Sequence, residues 1–241
     1  MLGAIAAIAA TLAWAGDASA FLDKPVKIVR APLPRDPDNP QAKPELSCSY
    51  YPHFVVKQID LGEPGADQLS IVADGSVCRR ENAADEKIVS AKDWTGYFGG
   101  VKGDYIFFTA EDGWNDGLGF AVFTADAKKL FEDVAVKWAG VELRPSGIQL
   151  RYERVYEAPC SLQSATAACW QTIRQATGLT DASPPDCKAA YVREQKRTPK
   201  FARQALSDPT VIDYDVSVAI DAKTHKMMPA TGKALRCRPA D

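Results

Sequence analysis

The residues of this chain best suited to chemistry cluster in the run Glu111-Asp112-Gly113-Trp114-Asn115-Asp116-Gly117. Its carboxylates suggest calcium, but a calcium loop needs oxygen ligands at alternating positions. With Asp112 first, Trp114 falls at the third position, where an oxygen should be. No metal site is therefore expected. Trp is enriched among the anchors of protein interfaces. Asp112, Trp114, Asn115 and Asp116 are accordingly the candidate contacts of a recognition loop. The plainer alternative is a turn whose Trp packs back onto the sheet.

Acid–base chemistry finds less support. Asp213 and Asp215 flank Tyr214 on one face of a strand pattern, where a solvated face is the ordinary reading. His53 sits in a strand pattern and His225 in the Lys-rich turn Lys223–Lys226. A triad needs a nucleophile, a base and an orienting acid, and the sequence has no G-x-S-x-G, H-E-x-x-H or S-x-x-K. No catalytic residue and no cofactor are assigned. An envelope hydrolase built from dispersed acids or His53 stays as the alternative.

A basic run, Lys188, Arg193, Lys196, Arg197, Lys200 and Arg203, has only Glu194 within it as an opposing charge. Lys196 and Arg197 are its candidate contacts for an anionic polymer or headgroup. A solvated helix face is the plainer reading. The formal charge of −2 hides a dipole: Cys160–Asp241 carries 12 Lys and Arg against 8 Asp and Glu. The chain as a whole is not basic, so no nucleic-acid partner is expected.

The six cysteines are Cys48, Cys78, Cys160, Cys169, Cys187 and Cys237, with no C-x-x-C spacing. An even count beside only 2 His favours structural disulfides over zinc or redox chemistry. Strand and helix placement predicts the pairs Cys48–Cys78 and Cys169–Cys187, and elimination leaves Cys160–Cys237.

These residues must be positioned by a sheet. The stretch Gly103–Val136 alternates aromatic and β-branched runs with Asp, Asn and Gly, the pattern of a meander. It continues through Trp138–Leu143 and Ile148–Glu157, with Pro145-Ser146-Gly147 as a turn. Cys48–Ile59 and Gln68–Ala73 read as two further strands, and Thr210–Ile220 as a returning one. Helices are expected over Ser164–Thr177 with Gly178 at its C′ position, from Ser183 as N-cap, and over Lys200–Ser207. The aromatic residues of the meander, Trp138 among them, are expected to fill the core.

Met1–Ala20 is apolar, ends Ala18-Ser19-Ala20, and reads as a cleaved signal peptide. The expectation is therefore a periplasmic or secreted protein. No later segment is apolar and long enough for a membrane span. Residues 21–45 form a Pro-rich arm, with Pro25–Arg30 as a possible edge strand. Residues 46–241 form one α+β domain: 46–158 β-rich and antiparallel, 159–209 helical, and 210–241 returning. The function expected is a non-enzymatic binding or accessory protein that meets an envelope or extracellular protein, or an anionic polymer. Assembly through an edge strand is a third reading.

Overall fold

Neighbouring residues of one strand feed two different cores. Phe107 packs with Phe120, Trp138 and Tyr152, whereas Ile106 and Phe108 pack with Phe123, Val56 and Ile71. Successive strand side chains point to opposite faces, so a sheet buried on both faces must be apolar at consecutive positions. That requirement explains the run Tyr105–Phe108, in which aromatic residues and Ile106 follow one another without a polar break.

A computed structural model describes residues 18–180, 182–197, 199–201, 206–221, 223–229 and 235–240. The smaller sheet is antiparallel and ordered β1 (Lys27–Pro32), β2 (Glu45–Tyr50), β3 (Phe54–Asp60), β4 (Gln68–Ala73) and β5 (Lys87–Ile88). The larger begins with β6 (Tyr97–Lys102), β7 (Tyr105–Trp114), β8 (Gly117–Thr124), β9 (Lys129–Arg144) and β10 (Gly147–Glu157). Helices α1 (Thr166–Thr177) and α2 (Lys188–Arg197) follow. The chain then returns as β11 (Thr210–Asp221), β12 (His225–Pro229) and β13 (Arg236–Pro239). The larger sheet runs β6 to β12, with β12 and β13 paired along successive stretches of β11. The fold is α+β and mainly antiparallel.

β9 is long because it serves two neighbours. Its first half pairs with β8, and from Ala135 onward it pairs with β10. The sheet coils so far that Phe131, near the start of β9, lies 5.1 Å ring to ring from His225 at the start of β12. Its concave face is closed by α1, through Cys169, Trp170 and Ile173, and by Tyr191 of α2. The Tyr191 hydroxyl is 2.8 Å from Thr210 Oγ1, which fixes α2 to the start of β11. Inside this face Asp133 binds Arg154 Nε at 2.8 and 2.9 Å and accepts from the Tyr152 hydroxyl. Arg154 donates onward to the Tyr214 hydroxyl at 2.7 Å. Burial, reinforced by the Asp133 carboxylate, drives the Tyr152 hydroxyl far above its usual pKa.

Several local expectations need correction. Cys48–Ile59 is not one strand: Pro52 and His53 lie in a turn closed by Tyr51 N–H to Phe54 O at 2.9 Å, and His53 is exposed. Proline lacks the ladder donor that a central strand needs. α1 starts two residues inside its predicted span and ends with it at Thr177, where Gly178 closes it with φ 75°, its amide donating to Arg174 O at 3.0 Å. α2 starts four residues later than a Ser183 cap would put its first turn, with the Asp186 carboxylate accepting from Lys188 N–H at 3.0 Å. The helix expected over Lys200–Ser207 is a short 3-10 turn, Pro199–Phe201; residues 202–205 lie outside the described part. Of the predicted signal peptide, residues 1–17 also lie outside it, while Ala18–Phe21 form a 3-10 turn.

Cys48–Cys78 is bonded as expected, and the other two predicted pairs are exchanged: Cys160 bonds Cys169, and Cys187 bonds Cys237. The expected pairing rested on a helix hairpin. Instead, the turn at Ser161–Ala165 folds the first residues of α1 back over the end of β10. α2 packs on β13 rather than serving as the partner of α1. The Cα–Cα distances of 5.6 and 5.4 Å suit direct bridges.

Candidate functional site

The β7–β8 hairpin is longer than the turn-rich sequence suggested. Pairing extends to Trp114 opposite Gly117, leaving only Asn115 and Asp116 as the turn. Both have left-handed φ, 48° and 59°, the backbone of the two-residue hairpin turn that Asn and Asp tolerate. Gly117 is required for a different reason. A Cβ there would fall 2.6 Å from Val134 Cγ1 and 2.7 Å from Val155 Cγ1. The start of β8 therefore sits close against β9 and β10, with no room for a side chain at position 117.

Two side chains lock it down. Asn115, only 4% exposed, donates from Nδ2 to Glu157 at 2.9 Å. Arg238 of β13 donates to the Asn115 carbonyl, pairs with Asp213, and lies 3.3 Å from Asp116. Asp213 is thus not a solvated strand acid; its carboxylate is buried beneath Arg238, with Arg236 at 3.9 Å. Burial pushes its carboxyl above the usual value, against the pull of Arg238 and Arg236. Asp213 Oδ1 and Arg238 Nε remain buried without hydrogen-bond partners.

From this base Trp114 projects, 49% exposed; Leu118, 39% exposed, pairs with Gly113 and so faces the other side of the hairpin. Asp112 lies on the exposed end of β7, and the Asp116 side chain faces solvent. Leu118 also borders a narrow apolar cleft of about 50 Å³, whose floor includes Phe107, Phe120 and Trp138. The cleft is far smaller than a small-molecule site, which typically spans roughly 300–1,000 Å³.

Lys196 and Arg197 lie exposed at the end of α2, where Arg197 pairs with Glu194 at 3.0 Å. They do not join the tip; the two regions connect through β13, whose Cys237 bonds Cys187 and whose Arg238 holds the hairpin. Arg238, Glu157 and Leu118 were not singled out in the sequence. The one usable signal was the spacing Arg236-x-Arg238, which places two cations on the same strand face. Among the described residues no group of His, Cys, Asp and Glu could hold a metal, and no helix is long and apolar enough to cross a membrane.

Comparisons with known proteins find no matching family model, no matching curated protein and no matching solved structure.

Proposed function

We propose that the protein is exported, loses its leader near Ala20, and works outside the cytoplasm as a binding protein through the β7–β8 tip. Three disulfides among the described cysteines fit an oxidising compartment. The observation that carries the reading is Trp114, half-exposed on a turn fixed from below by Asn115 and Arg238. An aromatic anchor on a rigid support loses little conformational freedom on binding, which favours affinity. Its partner is an envelope or extracellular protein offering an apolar pocket for the indole, with Asp112 and Asp116 facing polar groups at the rim.

The test is a crosslinking capture from envelope extract with wild type and the double variant Trp114→Ala, Asp116→Ala, after matching their melting curves. A specific partner lost only by the variant supports the tip. Equal capture by both rejects it and turns attention to α2, where Lys196 and Arg197 would contact an anionic polymer.

A further inference from the structure

The outer face of the five-stranded sheet holds a lysine in an unusual setting. Lys57 lies mid-strand on β3, and its side chain is only 3% exposed. Its Nζ lies 2.7 Å from Glu86 Oε1, and the Glu86 side chain is 1% exposed. It also lies 3.2 Å from Oδ1 of Asn82. Gln68 Nε2 donates to that same Asn82 oxygen at 2.9 Å and to Glu86 at 2.9 Å. Ser70 and the Ala83 amide also donate to the Glu86 carboxylate. The walls include Val55, Val72 and the Cys48–Cys78 bridge.

An amine and a carboxylate held out of water, beside the side-chain amide of the partly exposed Asn82, make up the parts of an acyl transfer. We propose that Lys57 and Asn82 form an intramolecular isopeptide bond, with Glu86 as the acid–base group. The resting pair is an ion pair, so the first step is proton transfer from the Lys57 ammonium to Glu86. The proton moves across the 2.7 Å contact from Nζ to Oε1, and the neutral pair it leaves is the minor, reactive form. The freed amine attacks Cγ of Asn82, and the electron pair moves to Oδ1, where Gln68 Nε2–H stabilises it. Glu86 returns its proton to Nδ2 and accepts one from Nζ. The Cγ–Nδ2 bond breaks, the carbonyl re-forms, and ammonia departs, taking the proton held by Glu86. One amide replaces another, with no oxidant, metal or cofactor. Asn82 is exposed on its outer side, which gives ammonia a way out. Beside the lysine, a void of about 10 Å³ is close to the room one water-sized molecule occupies.

The bond would clamp the loop after Cys78 onto β3 independently of redox conditions, beside the neighbouring disulfide. The experiment is intact mass and tryptic mapping of the purified full chain under denaturing conditions. The proposal expects a mass lower than the sequence by one ammonia with all three disulfides formed, and a branched peptide joining Lys57 to Asn82. It also expects Asn82→Ala and Glu86→Gln to be unlinked. Asn82→Ala changes an exposed side chain and keeps the ion pair, so it remains a folded control if Glu86→Gln misfolds. A wild-type chain of full mass after long incubation overturns the proposal. So does ammonia loss with trypsin still cleaving at Lys57, because that pattern is a succinimide at Asn82.

Discussion

On the five-stranded sheet the loop after Cys78 lies over β3, and on the eight-stranded sheet β13, paired beside β11, and the hairpin tip cover Asp213 through Arg238. Each cover buries one ion pair, Lys57–Glu86 in the first case and Arg238–Asp213 in the second. The first is saturated: Lys57 and Glu86 share acceptors and donors with Asn82, Ser70 and the Ala83 amide. Burial alone would raise the Glu86 carboxyl, yet the bonds from Lys57, Ser70 and Ala83 hold it below its usual value. The second pair is incomplete, with Asp213 Oδ1 and Arg238 Nε unpartnered, and burial leaves the Asp213 carboxyl raised. A closed network fixes a loop for stability. An incomplete one beside an exposed Trp marks where the fold accepts a cost to hold a surface in shape.

The largest effect is expected at the closed site. In an Asn82→Ala background, where Lys57 stays a cation, Lys57→Met should cost about 3–5 kcal/mol in urea unfolding, because it strands the Glu86 charge in the interior. Removing both members, as Lys57→Met with Glu86→Leu, should recover much of that loss. A small effect for the single variant would break the contrast between the two sites.

The disulfides sharpen it next. Cys187–Cys237 spans 50 residues and holds β13 beneath the tip, whereas Cys160–Cys169 spans 9. Paired Cys→Ser replacement should cost about 4 kcal/mol at the former and about 2.5 kcal/mol at the latter, on chain-entropy grounds. Only the former should also reduce partner capture.

The pH signatures should be opposite in sign. Because the Asp213 carboxyl is raised above its unfolded value of 3.8, the folded chain binds its proton more tightly. Its contribution is therefore lost as pH rises through the folded pKa, and Asp213→Asn should remove that part of the pH dependence. Glu86 is lowered below 4.5, so its contribution is present above that value and is lost on acidification. The Glu86 signature is best read in Asn82→Ala, where Lys57 stays an amine. Two carboxylates titrating with the same sign would contradict the comparison.

The smallest stability effect belongs to Trp114→Ala, within about 0.5 kcal/mol, as for an exposed side chain. Its effect on capture should be complete.

Most strands, helix α1 and the aromatic core were legible because each rests on local periodicity, whereas the start of α2 and the helix expected over Lys200–Ser207 were misplaced. The run Tyr105–Phe108 and the alternation in Ile148–Tyr152 need no distant partner to be read. The disulfide exchange was not legible, because it depends on where α2 lands, and β13 decides that. The tip was visible as a turn, yet its rigidity comes from Arg238, 123 residues away along the chain. Lys57 lies in the expected strand Cys48–Ile59, but its acceptors Asn82 and Glu86 lie 25 and 29 positions further along the chain. Long-range pairing of isolated charges leaves no periodic trace in a single sequence.

The most direct test of the latched tip is capture by Asp213→Asn, Arg238→Met, which removes the latch without leaving a buried charge and keeps Trp114. Capture should fall at least tenfold while the melting curve stays close to wild type. Capture equal to wild type would show that Trp114 does not depend on the Arg238 latch, and the account of the tip would fail.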